Sequence, residues 1–266
     1  MKVHHLNCGS MPMGMVDHCL LIETAVSLVL VDTGFGLDCG RRPGDVLGVG
    51  RRLLRPALDE AETAYRQIEA LGYDPHDVRH VVLTHLDFDH AGGIADFPWA
   101  TVHVHGPEYR AAMKPANSEM FRYRSAEWAH RPNWQINENG KDATWFGFRA
   151  VRDLPGLPPE ILLVPLYGHT RGHVGVAVDT GSGWLLHAGD AFLNGLQLHP
   201  MLPGLFFADA LYGVPDAKLG YSRLKNLRRL IDLDRNHRDD VTVFSSHDPF
   251  AFGRLATAAT SAGKES

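Results

Sequence analysis

Residues 84–93 read Thr84-His85-Leu86-Asp87-Phe88-Asp89-His90-Ala91-Gly92-Gly93, which sets four potential metal ligands, His85, Asp87, Asp89 and His90, within six positions. Just before them Val81-Val82-Leu83 is an unbroken apolar run, the pattern of a strand buried on both faces. A tight loop leaving such a strand aims several side chains at one point, and Gly92-Gly93 lets the chain turn closely away. Imidazole nitrogen and carboxylate oxygen together suit zinc, iron, manganese or a related divalent ion, and the cluster has no cysteine to argue for a thiolate site. One His-x-Asp pair standing alone would be no more than a solvated polar loop.

Three later blocks echo this arrangement. Gly168-His169-Thr170-Arg171-Gly172-His173 follows the apolar run Ile161 to Leu166, His187-Ala188-Gly189-Asp190 follows Gly183 to Leu186, and Ser245-Ser246-His247-Asp248 follows Val241 to Phe244. One sheet edge can present all of them together. Upstream, His18 to Glu23 and Ser27 to Val31 read as strands, the second stopped by Asp32-Thr33-Gly34-Phe35-Gly36. Apolar residues near helical spacing from Leu53 to Leu71, with Gly72 as a stop, predict a helix there. Asp74-Pro75-His76-Asp77 has the capping chemistry of a short turn or helix start. Thr101 to His105 predicts a strand and Glu108 to Met113 a brief helix. Ile161 to Leu166, His173 to Val178 and Gly183 to His187 predict three more strands, followed by a helix from Ala217 to Leu233 and a last strand from Val241 to Ser245. Two β-rich halves with helices between them make a layered α/β sandwich.

The 266 residues are 44% hydrophobic and 21% charged, ordinary for a globular protein, and no linker or low-complexity tract divides them. We therefore read one domain over residues 1–250, with a small, polar tail at 257–266 whose order depends on docking. A formal charge of −5 and the lack of a basic stripe argue against a nucleic-acid partner. No run reaches the roughly 18 apolar residues of a membrane span, and no leader-like start is present, so no membrane partner is expected and the expected location is cytoplasmic. Cys8, Cys19 and Cys39, odd in number and without C-x-x-C spacing, fit reduced thiols packed as small hydrophobes.

In these blocks the sequence resembles the metallo-β-lactamase superfamily, whose signature runs H-x-H-x-D-H, a glycine-histidine turn, a Gly-Asp and a final histidine. All four occur in order between Cys19 and His247, and Val31-Asp32-Thr33-Gly34 matches the family's early strand end. The resemblance implies a four-layer αββα sandwich. It also implies that His85 and His169 hold one metal, that Asp89, His90 and His247 hold a second, and that Asp190 bridges them. Asp32 would stand behind a ligand histidine and accept its other ring N–H. His173, His187 and His199 match no ligand position and are expected to be hydrogen-bonded structural histidines, His173 close behind the ligands. The sequence departs from the pattern at Asp87, where most hydrolytic members have a second histidine. A carboxylate there adds an anion and hardens the site, which leaves open whether Asp87 ligates directly and whether one or two ions bind. Zinc is the first expectation, with iron or manganese as alternatives.

What this implies first is a metal-dependent hydrolase acting on a small lactone, ester or related substrate, with Asp89 or Asp190 as proton acceptor. The His-Ala-Gly-Gly continuation and the Gly-His-Thr-x-Gly-His turn look like those of acyl-homoserine lactone lactonases. Those enzymes place a tyrosine three positions after the bridging aspartate, where this chain has Leu193 after Phe192; Tyr167 or Tyr212 are the candidates to replace it. The alternative from another class is a di-iron oxidoreductase needing an external electron donor, motivated by Asp87. A third reading is a metal-binding protein with little catalysis. The aromatic segment 115–148, with Phe121, Tyr123, Trp128, Trp134, Trp145 and Phe146, reads as a packed lobe or as a lid that sets substrate choice, and is compatible with a homodimer. Arg122, Arg124 and Arg131 within it are candidates to contact a carboxylate or phosphate, with solvated surface residues as the first expectation.

Overall fold

The computed structural model describes residues 1–140, 143–199 and 217–262. Lys2–Asn7 (β1), His18–Glu23 (β2), Leu28–Val31 (β3), Val78–Val82 (β4), Thr101–His105 (β5) and Asn133–Asn137 (β6) form a six-stranded sheet in that order. The first three pair antiparallel, and the remaining neighbours pair parallel. Thr144–Trp145 (β7) and Phe148–Arg149 (β8) make a small hairpin. A second sheet follows from Ile161–Pro165 (β9), Val174–Asp179 (β10), Trp184–His187 (β11) and Val241–Phe244 (β12), in the order β12-β11-β10-β9. β9, β10 and β11 are antiparallel neighbours, and β12 lies parallel to β11.

Side chains alternate across a strand, and that alternation sorts them into three apolar layers. Leu20, Ile22, Val29, Val31 and Val82 from the first sheet meet Ile161, Leu163, Val174, Val176, Val178 and Phe244 from the second. The intervening residues face outward. Leu21, Leu30 and Val81 pack under Ala64, Ile68, Ala111 and Ala112, which lie on the helices Ala64–Ala70 and Gly106–Met113. Leu162, Val164, Ala177 and Val243 pack under Leu227, Leu230 and Leu233 of the helix Ala217–Asn236. The result is the helix-sheet-sheet-helix sandwich that the four signature blocks imply. A last helix, Pro249–Ala262, returns against β1 and adds Leu255 to the middle layer. It absorbs residues 257–262 of the expected tail; residues 263–266 lie outside the described residues. The three cysteines are buried and unpaired. Among the described residues no helix is long and apolar enough to cross a membrane.

One expected element differs. The helix expected from Leu53 to Leu71 is two helices, Gly50–Leu54 and Ala64–Ala70. Arg55 closes the first in the left-handed region at φ 48°, Pro56 next to it has no N–H to continue the ladder, and Leu58 is again left-handed at φ 55°. Thr63 then caps the second helix, its Oγ1 accepting the Arg66 N–H at 3.4 Å. Apolar spacing outlived the break because Leu54 and Leu58 pack beside Phe35, Val46 and Phe88 while Ala64 and Ile68 join the sheet's own core.

Leu163 sits in the middle layer with no exposed surface, paired to Val176 on one side and bridged to Val151 on the other. Leu163→Ala should cost about 2–5 kcal/mol in chemical unfolding, because a strand fixed from both sides cannot collapse onto the void.

Candidate metal centre

The chemistry-bearing loops all leave the same edge of the sandwich. β3 leads into Asp32, β4 into Thr84-His85, β9 into the turn to His169, β11 into Gly189-Asp190 and β12 into the loop with His247, while Asp17 immediately precedes antiparallel β2 on that edge. Backbone hydrogen bonds stitch the loops together: Val174 N donates to Thr84 O at 3.0 Å, Ser246 N to Gly189 O at 3.1 Å, and Thr33 N to His90 O at 2.9 Å. Gly189 makes its turn at φ +54°, where a Cβ would lie 2.5 Å from His173 Nε2.

Two groups of donor atoms result. His85, Asp87 and His169 form the first; Asp17, Asp89, His90 and His247 form the second; His85, His90 and Asp190 connect them, the donor atoms of each group lying within 4.8 Å of one another. Asp87 Oδ2 is 3.0 Å from His169 Nε2 and 3.5 Å from His85 Nε2. Asp190 reaches both groups, with Oδ2 3.5 Å from His169 Nε2 and 3.1 Å from His247 Nε2, and Oδ1 3.3 Å from His90 Nε2. Asp89 Oδ2 stands 3.8 Å from His247 Nε2 and 4.0 Å from His90 Nε2. All seven side chains that the sequence singled out are buried here.

Behind them sit groups that fix their orientation. Asp32, held at φ 54°, accepts from Thr84 N and Thr84 Oγ1, both at 2.7 Å, and its Oδ2 lies 2.9 Å from His90 Nδ1. Thr84 Oγ1 is in turn 2.9 Å from His85 Nδ1. His247 Nδ1 is 2.8 Å from Val16 O and 3.2 Å from Asp17 Oδ1. Tying up each Nδ1 leaves the Nε2 of these rings to face the centre. His173 accepts the Asp190 N–H on Nε2 at 2.9 Å, and its Nδ1 faces Leu166 O at 3.1 Å, so it is a structural prop for the Asp190 turn. His187 Nε2 lies against His18 O, and His199 is exposed.

The residues present fit a cation. His85 Nε2, His90 Nε2 and Asp190 Oδ1 are buried without a well-formed hydrogen bond, His90 Nε2 and Asp190 Oδ1 merely facing each other at 3.3 Å, an expensive condition that a metal ion would relieve. Burial opposes the charged form of Asp87 and Asp190, yet Arg122 and His85 for Asp87, and His247 and His90 for Asp190, hold both carboxyls well below their usual range. Burial likewise opposes protonation of His90 and His247, but Asp190 and its carboxylate neighbours raise both well above the usual imidazole value. Burial raises the carboxyls of Asp17, to about 7, and of Asp89, so protons are held on several of these donors, and a divalent ion would compete with them for the same atoms. His169 differs: burial and then Arg122 push it down to about 3, which keeps it neutral.

Sequence reasoning missed four contributors. Asp17 is one, though a carboxylate immediately before a strand that enters this edge is a readable signal. Glu108 is the second: Leu86 N and Tyr123 OH donate to its Oε1 at 3.0 and 3.1 Å, and Thr170 Oγ1 and Gly172 N to its Oε2 at 2.6 and 3.0 Å. It ties the loop after β4 to the loop after β9. Tyr123 is the third. Arg122 is the fourth, and the expectation of a solvated arginine fails there: it is 2% exposed, with Nη1 donating to His169 O at 3.1 Å and lying 3.1 Å from Asp87 Oδ2. Arg124 bonds Val46 O, and Arg131 stays exposed. No local pattern marks Arg122, because its partner lies 35 residues away.

A cavity of ≈ 480 Å³ opens over the centre, walled by Met11, Met13, Met15, Leu54, Phe88, Phe121 and Leu193 and floored by Asp87, Asp89, Arg122, His169, Asp190 and His247. Leu193 thus brings no hydroxyl to the cavity. Tyr167 stacks on His105 instead, and Tyr212 lies outside the described residues. Of the aromatic segment, Phe121 reaches the cavity, Tyr123, Trp128 and Trp134 pack on the first sheet, and Trp145, Phe146 and Phe148 pack on the second.

With this geometry the comparisons agree. The family model of the metallo-β-lactamase superfamily matches residues 15–247, and the chain belongs to that superfamily. It is 47% identical to a probable metallo-hydrolase of Mycobacterium tuberculosis, over 93% of this chain and 80% of the relative. It is 26% identical to an N-acyl homoserine lactonase of Bacillus thuringiensis, over 86% and 80%. Among solved structures, an N-acyl homoserine lactone hydrolase with the product N-hexanoyl-L-homoserine at its catalytic metal center shares the fold at a TM-score of 0.68 and 21% identity, covering 93% of each chain.

Gly172 is the tightest point of the site: a Cβ on it would lie 1.9 Å from Glu108 N, a backbone atom. Gly172→Ala should lower stability by about 1–3 kcal/mol in urea unfolding, since the loop after β9 and the helix Gly106–Met113 must move apart to admit the methyl.

Proposed function

We propose that the chain is a metal-dependent hydrolase of lactones or esters that carry an apolar arm. The observation that carries this reading is the pair of donor groups sharing Asp190 on the floor of an apolar cavity. His85, Asp87 and His169 would hold one ion and Asp89, His90 and His247 another, with Asp190 within reach of both donor groups; zinc suits this set, and the extra carboxylate also admits manganese or iron. A divalent ion bound there lowers the pKa of water toward neutrality and polarises a carbonyl oxygen. Asp32 and Asp17 keep His90 and His247 turned with Nε2 toward the centre. Asp89, which lines the cavity floor, would accept the proton of the attacking water on its carboxylate and return it to the leaving oxygen.

The methionine-rich wall supports the substrate class. Met11, Met13 and Met15 are unbranched and adaptable, and Met13 is 92% exposed at the mouth, so the wall accommodates apolar groups of varied length. The lactonases named above, to which the chain is similar, act on substrates with such an arm, which supports a lactone as the first test. The alternative of a di-iron oxidoreductase draws on Asp87 in the first donor group.

Activity against short- and long-chain lactones, aryl esters and phosphoesters should disappear on chelation and return with zinc or manganese, and kcat/KM should rise with chain length for lactones or esters. Asp89→Asn should lower kcat about 10²–10⁴-fold, the usual contribution of a positioned proton acceptor. Iron-loaded protein that consumes oxygen with a reductant and hydrolyses none of these compounds would overturn the hydrolytic reading in favour of the redox one.

A further inference from the structure

Asp87 puts one negative charge where the superfamily resemblance expects a neutral imidazole, and the fold places one positive charge directly against it. Arg122 Nη1 lies 3.1 Å from Asp87 Oδ2 and 3.3 Å from Oδ1, so one guanidinium nitrogen straddles the carboxylate. Both side chains are buried, with 7% of Asp87 and 2% of Arg122 exposed. The same Nη1 donates to the backbone carbonyl of His169, which anchors the arginine to the loop carrying the neighbouring donor. Arg122 itself is carried by the turn after Asn117–Glu119, and that turn is pinned on both sides. Glu119 pairs with Arg171 at 2.7 Å, and Tyr123 OH donates to Glu108. The guanidinium is therefore a fixed part of the centre.

We infer that Asp87 and Arg122 act as one unit that replaces a histidine, the arginine being the positioning residue and counter-charge that lets a short carboxylate serve in the first donor group. This rests on the reading of that group as a metal site. Two physical requirements are met together. The extra anion is cancelled locally, so the summed charge around the centre equals that of an imidazole in the same place. The aspartate, one methylene shorter than a glutamate, is also held with Oδ2 turned toward His85 and His169. Breaking a buried ion pair from either side leaves an uncompensated charge, whereas replacing both partners removes the problem. The two residues should consequently be interchangeable with a histidine and an apolar residue only as a pair.

A double-mutant cycle tests this. Apo-protein of the wild type, Arg122→Met, Asp87→His and the Asp87→His/Arg122→Met double variant is titrated with zinc and with manganese against a chromophoric chelator, with circular dichroism of each apo-protein as the control for folding. Each single variant should bind the tighter ion about 10–100-fold more weakly, the range seen when a partner of a metal ligand is removed. The double variant should recover zinc affinity to within about tenfold of wild type, because the lone charge is gone and an imidazole is restored. Arg122→Lys, which keeps the charge but not the planar fork, should fall between wild type and Arg122→Met, and serves if the methionine variant does not fold. Losses that multiply in the double variant, or an Arg122→Lys or Arg122→Met protein that binds as wild type does, would overturn the unit. A wild-type chain that takes up no divalent ion would instead sink the metal-site reading, which keeps the two failures apart.

Discussion

Four carboxylates and four imidazoles, on Asp17, Asp87, Asp89, Asp190, His85, His90, His169 and His247, are packed out of water at one edge of a β-sandwich. Isolated charges buried this way would be far too costly to keep, so every other feature of the edge is compensation. Asp32, Thr84 and Val16 O occupy the outer nitrogens of three of the rings. Arg122 faces Asp87, and the donor atoms that remain form a candidate metal centre. The αββα layering makes this affordable: the two sheets share a dry middle layer, and only their common edge has to accept polar groups.

The architecture was legible because a short apolar run ending at a turn signal is a local mark of a buried strand. Val81-Val82-Leu83, Ile161 to Leu166 and Val241 to Phe244 announce themselves, and the histidine and aspartate blocks that follow them fall where the resemblance implied. What failed was the single helix over Leu53 to Leu71. There the apolar spacing is real but serves two different packing surfaces, and Pro56 with the left-handed Arg55 carried the decisive information. β1 and β6, both at the margins of the first sheet, also escaped, since their alternation is half polar.

The site's outer groups were harder to read for a different reason. Glu108, Arg122 and Tyr123 act through contacts to loops distant in the sequence, so neither periodicity nor spacing flags them. Glu108 shows the point: on a helix after β5 it reads as an ordinary exposed glutamate, yet it collects four donors from three segments. Burial pushes its carboxyl up, and those donors work the other way, toward the anion.

Three consecutive residues in the turn after β5 and its helix look in three directions. Phe121 faces the cavity, Arg122 faces Asp87, and Tyr123 faces Glu108. In many enzymes the loop that chooses the substrate is a module that can be exchanged while the chemistry underneath is left alone. Here the two are on the same short stretch of backbone, so a change that reshapes the cavity wall at Phe121 also pulls on the counter-charge and on the tie between ligand loops. Divergence toward new substrates is therefore easier through the methionine side, Met11 to Met15, than through this one.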